Sequence, residues 1–324
     1  MHLTNQNISS ILLSNSRSAM SRYPQPELVP YQLNDPPVEP QTMPHYIPAG
    51  NFVINAELTT NPDEHAGWDN QEDGITWIAV NGLFQSTEQW RRFGRNLVVD
   101  GARADTDMSL FAFDDPLYYA QSSYSESAAA AARYVRERAP EHRIILLGYS
   151  RGGISAAQIA PELIDEGVVD AVYTMAAPAG RIDVDVRGVA GVVSDLARSP
   201  KRSHDNETTR LARSLSRAAG LRLLLHPVGT ASEVLEVCDT ADTGARLAAL
   251  SNRTGNRVPM AAAYYSDDGV VDASRHRNYL TLANYTAPVS ERPGYHMQPL
   301  VCDETRAMLI ERARHDVLHA EEAA

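Results

Sequence analysis

The sequence predicts an α/β fold: a mostly parallel β-sheet flanked by helices on both faces. Three observations lead there. Strand-like and helix-like segments alternate from about residue 50 onward. "RIILL" (Arg143–Leu147) is an unbroken apolar run of the kind buried on both faces of a sheet. That run passes through Gly148-Tyr149-Ser150-Arg151-Gly152-Gly153 straight into an alanine-rich helical pattern. A chain of 324 residues suffices for one large domain with additional segments, and 43% hydrophobic with 22% charged residues is ordinary for a globular protein.

Residues 1–48, exemplified by "SRYPQPELVPYQLNDPPVEPQTMP", are rich in Ser, Asn, Gln and Pro. They carry too little apolar surface to offset the entropy of ordering, so a mobile arm is expected there. "GNFVINAEL", "ITWIAV" and "SLFAF" read as strands. Before the last of these, Ser86–Val99 spaces Trp90, Phe93 and Leu97 at i, i+3 and i+7, on one helix face. Ser123–Arg138 opens on a capping box, Ser123 and Glu126, and continues through five alanines. After "RIILL" come a helix over Gly152–Asp165, the strand "DAVYTMAA", the strand "VPMAAAYY" and the closing helix "CDETRAMLIERARHDVL".

Residues 181–257 separate two of these strands. Loops in α/β units usually run to about six residues, so a connection of this length must carry its own structure, most clearly in "TTRLARSLSRAAGLRLLL". The expected organisation is an arm over 1–48, a core formed by 49–180 and 258–324, and a helical cap over 181–257.

A net charge of −12 argues against nucleic acid as a partner, because neutralising phosphates requires surplus Lys and Arg. No apolar run reaches membrane-spanning length, and the first twenty residues lack the basic start and apolar stretch of a secretory signal. Cys238 and Cys302 lie far apart and are expected as two buried reduced thiols. With no His-Glu-x-x-His, paired-cysteine or phosphate-cradling pattern, neither a metal nor a cofactor is predicted. Lys201 is the only lysine among 29 basic residues, as a GC-rich genome would produce, or as delivery into a host cell would favour by limiting ubiquitin attachment.

The segment around Ser150 carries the chemistry. A helix beginning within a few residues of a buried strand requires a sharp turn, with glycines wherever side chains would collide. Such a turn lifts a serine hydroxyl above the sheet edge, at a helix N-terminus whose free N–H groups favour negative charge. A serine hydroxyl becomes a competent nucleophile when a base takes its proton and a third group orients that base.

With "GYSRGG" standing between strand and helix, the chain resembles the α/β-hydrolase superfamily, in its lipase and esterase branch, over roughly residues 50–319. "GYSRGG" is similar to that family's nucleophile elbow, and Asn81-Gly82-Leu83-Phe84 after "ITWIAV" resembles its oxyanion loop. Asn81 stands where the family more often has His. The resemblance implies an insertion after the sixth strand that forms a lid, and it implies that acid and histidine follow the serine. "SDDGVVD" looks like the acid loop, which implies Asp268 as the acid, with Asp267 beside it as the alternative.

Of the ten histidines, those at 2, 45, 65 and 142 precede the elbow, and His204 and His226 lie in the insertion. His276 follows Asp268 too closely, and His315 and His319 belong to the closing helix. His296, in "RPGYHMQPL", follows Asp268 by 28 residues, a family-like spacing. The implied oxyanion donors are the N–H groups of Arg151 and of Leu83, with Phe84 as the alternative to Leu83.

The resemblance therefore implies a serine hydrolase that cleaves carboxylic esters, lipid or acyl esters among them, through Ser150, His296 and Asp268. Its rivals are an acyltransferase, thioesterase or peptidase on the same scaffold, and a binding protein without catalysis. A small-molecule or lipid ester is the expected partner. Between Arg187 and Arg222 the insertion carries eight basic and three acidic residues, which suits either peripheral contact with anionic lipid or substrate, or a plain solvated helix face. Tyr118, Tyr119 and Tyr124 are placed to line an entrance or simply to pack. The polar N-terminus also resembles the uncleaved leaders of type III secretion effectors, so the expected location is the cytoplasm or outside the cell without a cleaved signal.

Overall fold

A computed structural model of the chain describes residues 38–49, 52–61, 74–82, 85–114, 124–178, 242–265, 268, 271, 289–292, 296 and 298–318. All of them fall within one compact unit, Pro37–Ala324. The strand-like segments form an eight-stranded sheet: β1 (Gln41–Ala49), β2 (Phe52–Thr60), β3 (Ile75–Val80), β4 (Met108–Phe113), β5 (Arg143–Tyr149), β6 (Ala171–Met175), β7 (Met260–Tyr265) and β8 (Val289–Arg292). Their spatial order is β1-β2-β4-β3-β5-β6-β7-β8. The pairs β1/β2 and β2/β4 are antiparallel, and every other neighbouring pair is parallel.

Every residue of β3, β4, β6 and β7 is buried, as a parallel sheet covered on both faces requires. Alternate residues feed two separate apolar layers. Ile75, Trp77 and Ala79 of β3 point to one face, where they meet Trp90, Phe93 and Leu97 of α1 (Thr87–Arg103) and Leu309, Ile310 and Ala313 of α5 (Asp303–Ala313). Ile78 and Val80 point to the other, which is covered by α2 (Tyr124–Arg138), α3 (Arg151–Asp165) and α4 (Thr243–Arg253). The period of two along a strand thus divides the core between two helix layers.

Two expected boundaries move. The arm assigned to 1–48 ends in β1, which pairs with β2 from Gln41↔Thr60 to Ala49↔Phe52. β1 is an edge strand in which Thr42, Pro44, Tyr46 and Pro48 are exposed while Ile47 is buried. Prolines four apart direct their missing N–H groups the same way, and only an edge strand has a side on which that costs nothing. Half-buried alternation with two prolines therefore resembles a polar tail in composition.

The cap assigned to 181–257 likewise ends in a core helix. Leu247, Ala248 and Leu250 of α4 are buried in the apolar layer over α3. Arg253 ties α4 to α3 through Asp165 (2.7 Å) and the Pro161 carbonyl (2.9 Å). The remainder of that insertion, with its basic stretch, lies outside the described residues, as do Cys238, Tyr118 and Tyr119. Cys302 is a free thiol that is only partly buried, where full burial was expected. Among the described residues no helix is long and apolar enough to cross a membrane.

Candidate active site

A single residue, Ser150, separates β5 from α3. Its backbone adopts φ 53° and ψ −123°, a conformation that L-residues rarely take and that costs about 1–3 kcal/mol. Two backbone hydrogen bonds hold it there. The Ser150 N–H donates to the Met175 carbonyl at the end of β6 (2.9 Å), and the Gly153 N–H donates to the Ser150 carbonyl (2.9 Å).

The flanking glycines let α3 start this close to the sheet. A Cβ on Gly148 would meet the Gly153 Cα at 2.5 Å, and one on Gly152 would run into the carbonyl of Val80 at the end of β3. The strand-to-helix turn therefore compresses three backbones into one corner, and the serine side chain is left partly exposed above it.

The structure brings the three side chains expected of the site together. His296 Nε2 lies 2.9 Å from Ser150 Oγ, and His296 Nδ1 lies 2.8 Å from Asp268 Oδ2. The Asp268 side chain is fully buried, and its other oxygen accepts the Val271 N–H at 2.9 Å. An ionised carboxylate only accepts, so Nδ1 carries the proton shared with Asp268 and Nε2 is left to accept from the serine. The arrangement can draw a proton from the hydroxyl into a buried imidazole that is oriented from behind. Asp267, the alternative acid, lies outside the described residues.

Leu83 and Phe84 also lie outside the described residues, but the loop that leads to them is pinned on both sides. Asn81 is fully buried; its Nδ2 donates to the Phe113 carbonyl at 2.5 Å, and its Oδ1 accepts from Trp90 Nε1 at 2.6 Å. The Gly82 N–H donates to Gln85 Oε1 at 2.6 Å. Asn81 thus ties the end of β3 to both β4 and α1. Arg151, whose backbone N–H is the other expected donor, is the first residue of α3.

Tyr149, Gln85 and the Trp90 indole also line this corner, with little in the sequence to mark them. The one available signal was chemical: a phenol ending an otherwise aliphatic buried strand brings a hydroxyl that needs a partner. That partner is the His296 carbonyl, 2.9 Å away.

Solved structures share this architecture at low sequence identity. An esterase of Pyrococcus furiosus is 12% identical, with a TM-score of 0.54 over 85% of this chain and 91% of that one. An esterase of Pyrobaculum calidifontis is 16% identical, with a TM-score of 0.54 over 88% and 87%. The peroxisomal alpha-beta-hydrolase of Saccharomyces cerevisiae is 10% identical, with a TM-score of 0.55 over 87% and 88%. No protein-family model matches the chain, and no curated protein matches its sequence. The chain has the α/β-hydrolase fold.

Proposed function

We propose that the protein is a serine-dependent hydrolase of carboxylic esters. The observation that carries this reading is the hydrogen-bonded series Ser150–His296–Asp268 built on a strained strand-to-helix turn. The names of the similar structures, esterases among them, favour esters over other acyl substrates.

In this reading Ser150 Oγ attacks the ester carbonyl carbon while its proton passes to His296 Nε2. Asp268 holds the imidazole and stabilises its positive charge. The tetrahedral oxyanion is received by the Arg151 N–H at the head of α3 and by the Leu83 N–H, donors each worth about 3–4 kcal/mol in comparable sites. Collapse breaks the bond to the alkoxide, which leaves as the alcohol with the proton from His296. Water then gives a proton to the same nitrogen and attacks the acyl-serine. The carboxylic acid departs, and Oγ regains its hydrogen. Acyl and lipid esters are the substrates this mechanism accommodates, and the chain length they carry is an experimental variable.

The test pairs p-nitrophenyl ester turnover with labelling by a fluorophosphonate probe. Ser150→Ala is expected to lower turnover by at least about 10³-fold and to abolish labelling, with thermal stability retained. Undiminished turnover in Ser150→Ala would refute the assignment. Failure of the wild-type protein to label would favour a binding protein on a hydrolase scaffold.

A further inference from the structure

We propose that Tyr149 is a positioning residue that holds the His296 imidazole in place after Ser150 has been acylated; the assignment rests on the hydrolase reading above. Tyr149 is the last residue of β5, is 2% exposed, and passes its backbone directly into Ser150. Its hydroxyl donates to the backbone carbonyl of His296 at 2.9 Å, a buried bond between residues 147 positions apart. Its ring lies 5.3 Å from the imidazole, centroid to centroid, with the planes at 43°.

The same ring reaches the oxyanion loop. A Cβ on Gly82 would sit 2.8 Å from Tyr149 Cδ1 and 3.0 Å from Cε1, so the loop backbone packs closely against that edge of the phenol ring. Trp90, which holds Asn81, meets the ring edge to face at 6.4 Å and 89°. One side chain on the rigid end of a central strand therefore touches both the loop that bears the histidine and the loop that precedes Leu83.

The need for such a support follows from the reaction. His296 itself belongs to no strand or helix: it follows β8, which ends at Arg292, and precedes α5. In the resting site its imidazole is held by Asp268 on one nitrogen and Ser150 on the other. Acylation removes the hydrogen from Oγ, and the Ser150 support is lost at the step where the imidazole must aim a water at the acyl carbon. Asp268 continues to hold one nitrogen. The phenol bond to the backbone carbonyl, together with ring contact on the imidazole, is unaffected by acylation. Tyr149 is thus matched to the second half of the cycle.

Tyr149→Phe keeps the ring and removes only the hydroxyl. With p-nitrophenyl acetate the variant is expected to lose about tenfold in kcat, the scale of a small misplacement of a catalytic group, and distinctly less in kcat/KM. A burst of p-nitrophenol close to one per enzyme should precede the steady state as acyl-enzyme accumulates. A kcat within about twofold of wild type, or an equal fall in kcat and kcat/KM without a burst, would overturn the proposal.

The downfield proton resonance of the His296 Nδ1–H supplies a readout that requires no turnover. It is expected to shift or broaden in Tyr149→Phe at unchanged thermal stability, and an unaltered resonance would count against the role. If the wild-type protein neither turned over esters nor labelled at Ser150, the hydrolase reading would fail by itself, and the resonance would still decide whether Tyr149 seats the imidazole.

Discussion

The two rims of the central sheet each hold a buried histidine hydrogen-bonded to a hydroxyl group, on backbones of different kinds. On the lower rim, at the N-terminal ends of the strands, Thr76 Oγ1 lies 2.9 Å from Ser109 Oγ and 2.8 Å from His142 Nδ1. All three side chains are sealed, at 0%, 2% and 2% exposure. Thr76 and Ser109 lie on regular strands in register with each other, and Arg136 closes the corner by bonding the His142 carbonyl and Asp170, each at 2.8 Å. On the upper rim Ser150 has a left-handed backbone, remains partly exposed, and meets a histidine contributed by a loop far along the chain.

The composition of the two clusters is similar; the backbone beneath them differs. A hydroxyl locked in a ladder between two strands satisfies its neighbours, whereas one raised on a strained turn at the carboxyl edge of a parallel sheet can meet a ligand. A contact between a histidine and a hydroxyl therefore points to a functional site only together with the geometry that exposes it.

The largest expected effect tests the upper rim. Gly152→Ala drives a methyl into the Val80 carbonyl, where backbone must move, so a loss of about 3 kcal/mol or more of stability is expected, and with it a loss of the proposed esterase activity. Urea unfolding and ester turnover measure both, and a stable, active variant would show that the corner is looser than the contacts imply.

Thr76→Val is the matching change on the lower rim. It deprives Ser109 and His142 of their shared partner and is expected to cost about 1–3 kcal/mol of folding stability while kcat and KM stay at wild-type values. A large fall in turnover at wild-type stability would mean that the two rims are coupled through β3.

The smallest effect belongs to the solvent-exposed bonds from Arg133 on α2 to Glu166 (2.8 Å) and Glu162 (2.5 Å). The hydrogen bond from Arg133 holds the Glu166 carboxyl below its ordinary range, with the charge of Arg133 adding to the effect. A depressed carboxyl contributes stability above its unfolded range and loses it as pH falls through the folded value. Arg133→Ala should therefore lower Tm slightly at pH 7, and the difference should close on acidification. A difference that instead grows in acid would invert the assigned sign.

The sharp turn at Ser150 was legible because its constraints are local: Gly148, Ser150, Gly152 and Gly153 lie within six residues, and each glycine reflects a collision expected where a strand runs into a helix. Trp90, Phe93 and Leu97 were legible through helical spacing, and all three are buried. The identity of β1 was not, since an edge strand exposing Pro44 and Pro48 has the composition of a tail. The helical character of α4 was readable, but its place in the core was not, because the segments before it share its Arg, Leu and Ala content and only a neighbouring surface such as α3 distinguishes them.

By itself the sequence determined the alternation of strands and helices and the sharp turn at Ser150, because periodicity and steric exclusion act between near neighbours, while Asp268 and His296 were implied only by the resemblance to α/β-hydrolases. The tertiary structure alone decided that His296 comes within hydrogen-bonding distance of both Ser150 and Asp268, that Asn81 fastens β3 to β4 and α1, and that the Tyr149 hydroxyl meets a carbonyl 147 positions away. Those contacts join segments whose separation along the chain carries no record of their distance in space, and they exist only once the sheet has set its strand order.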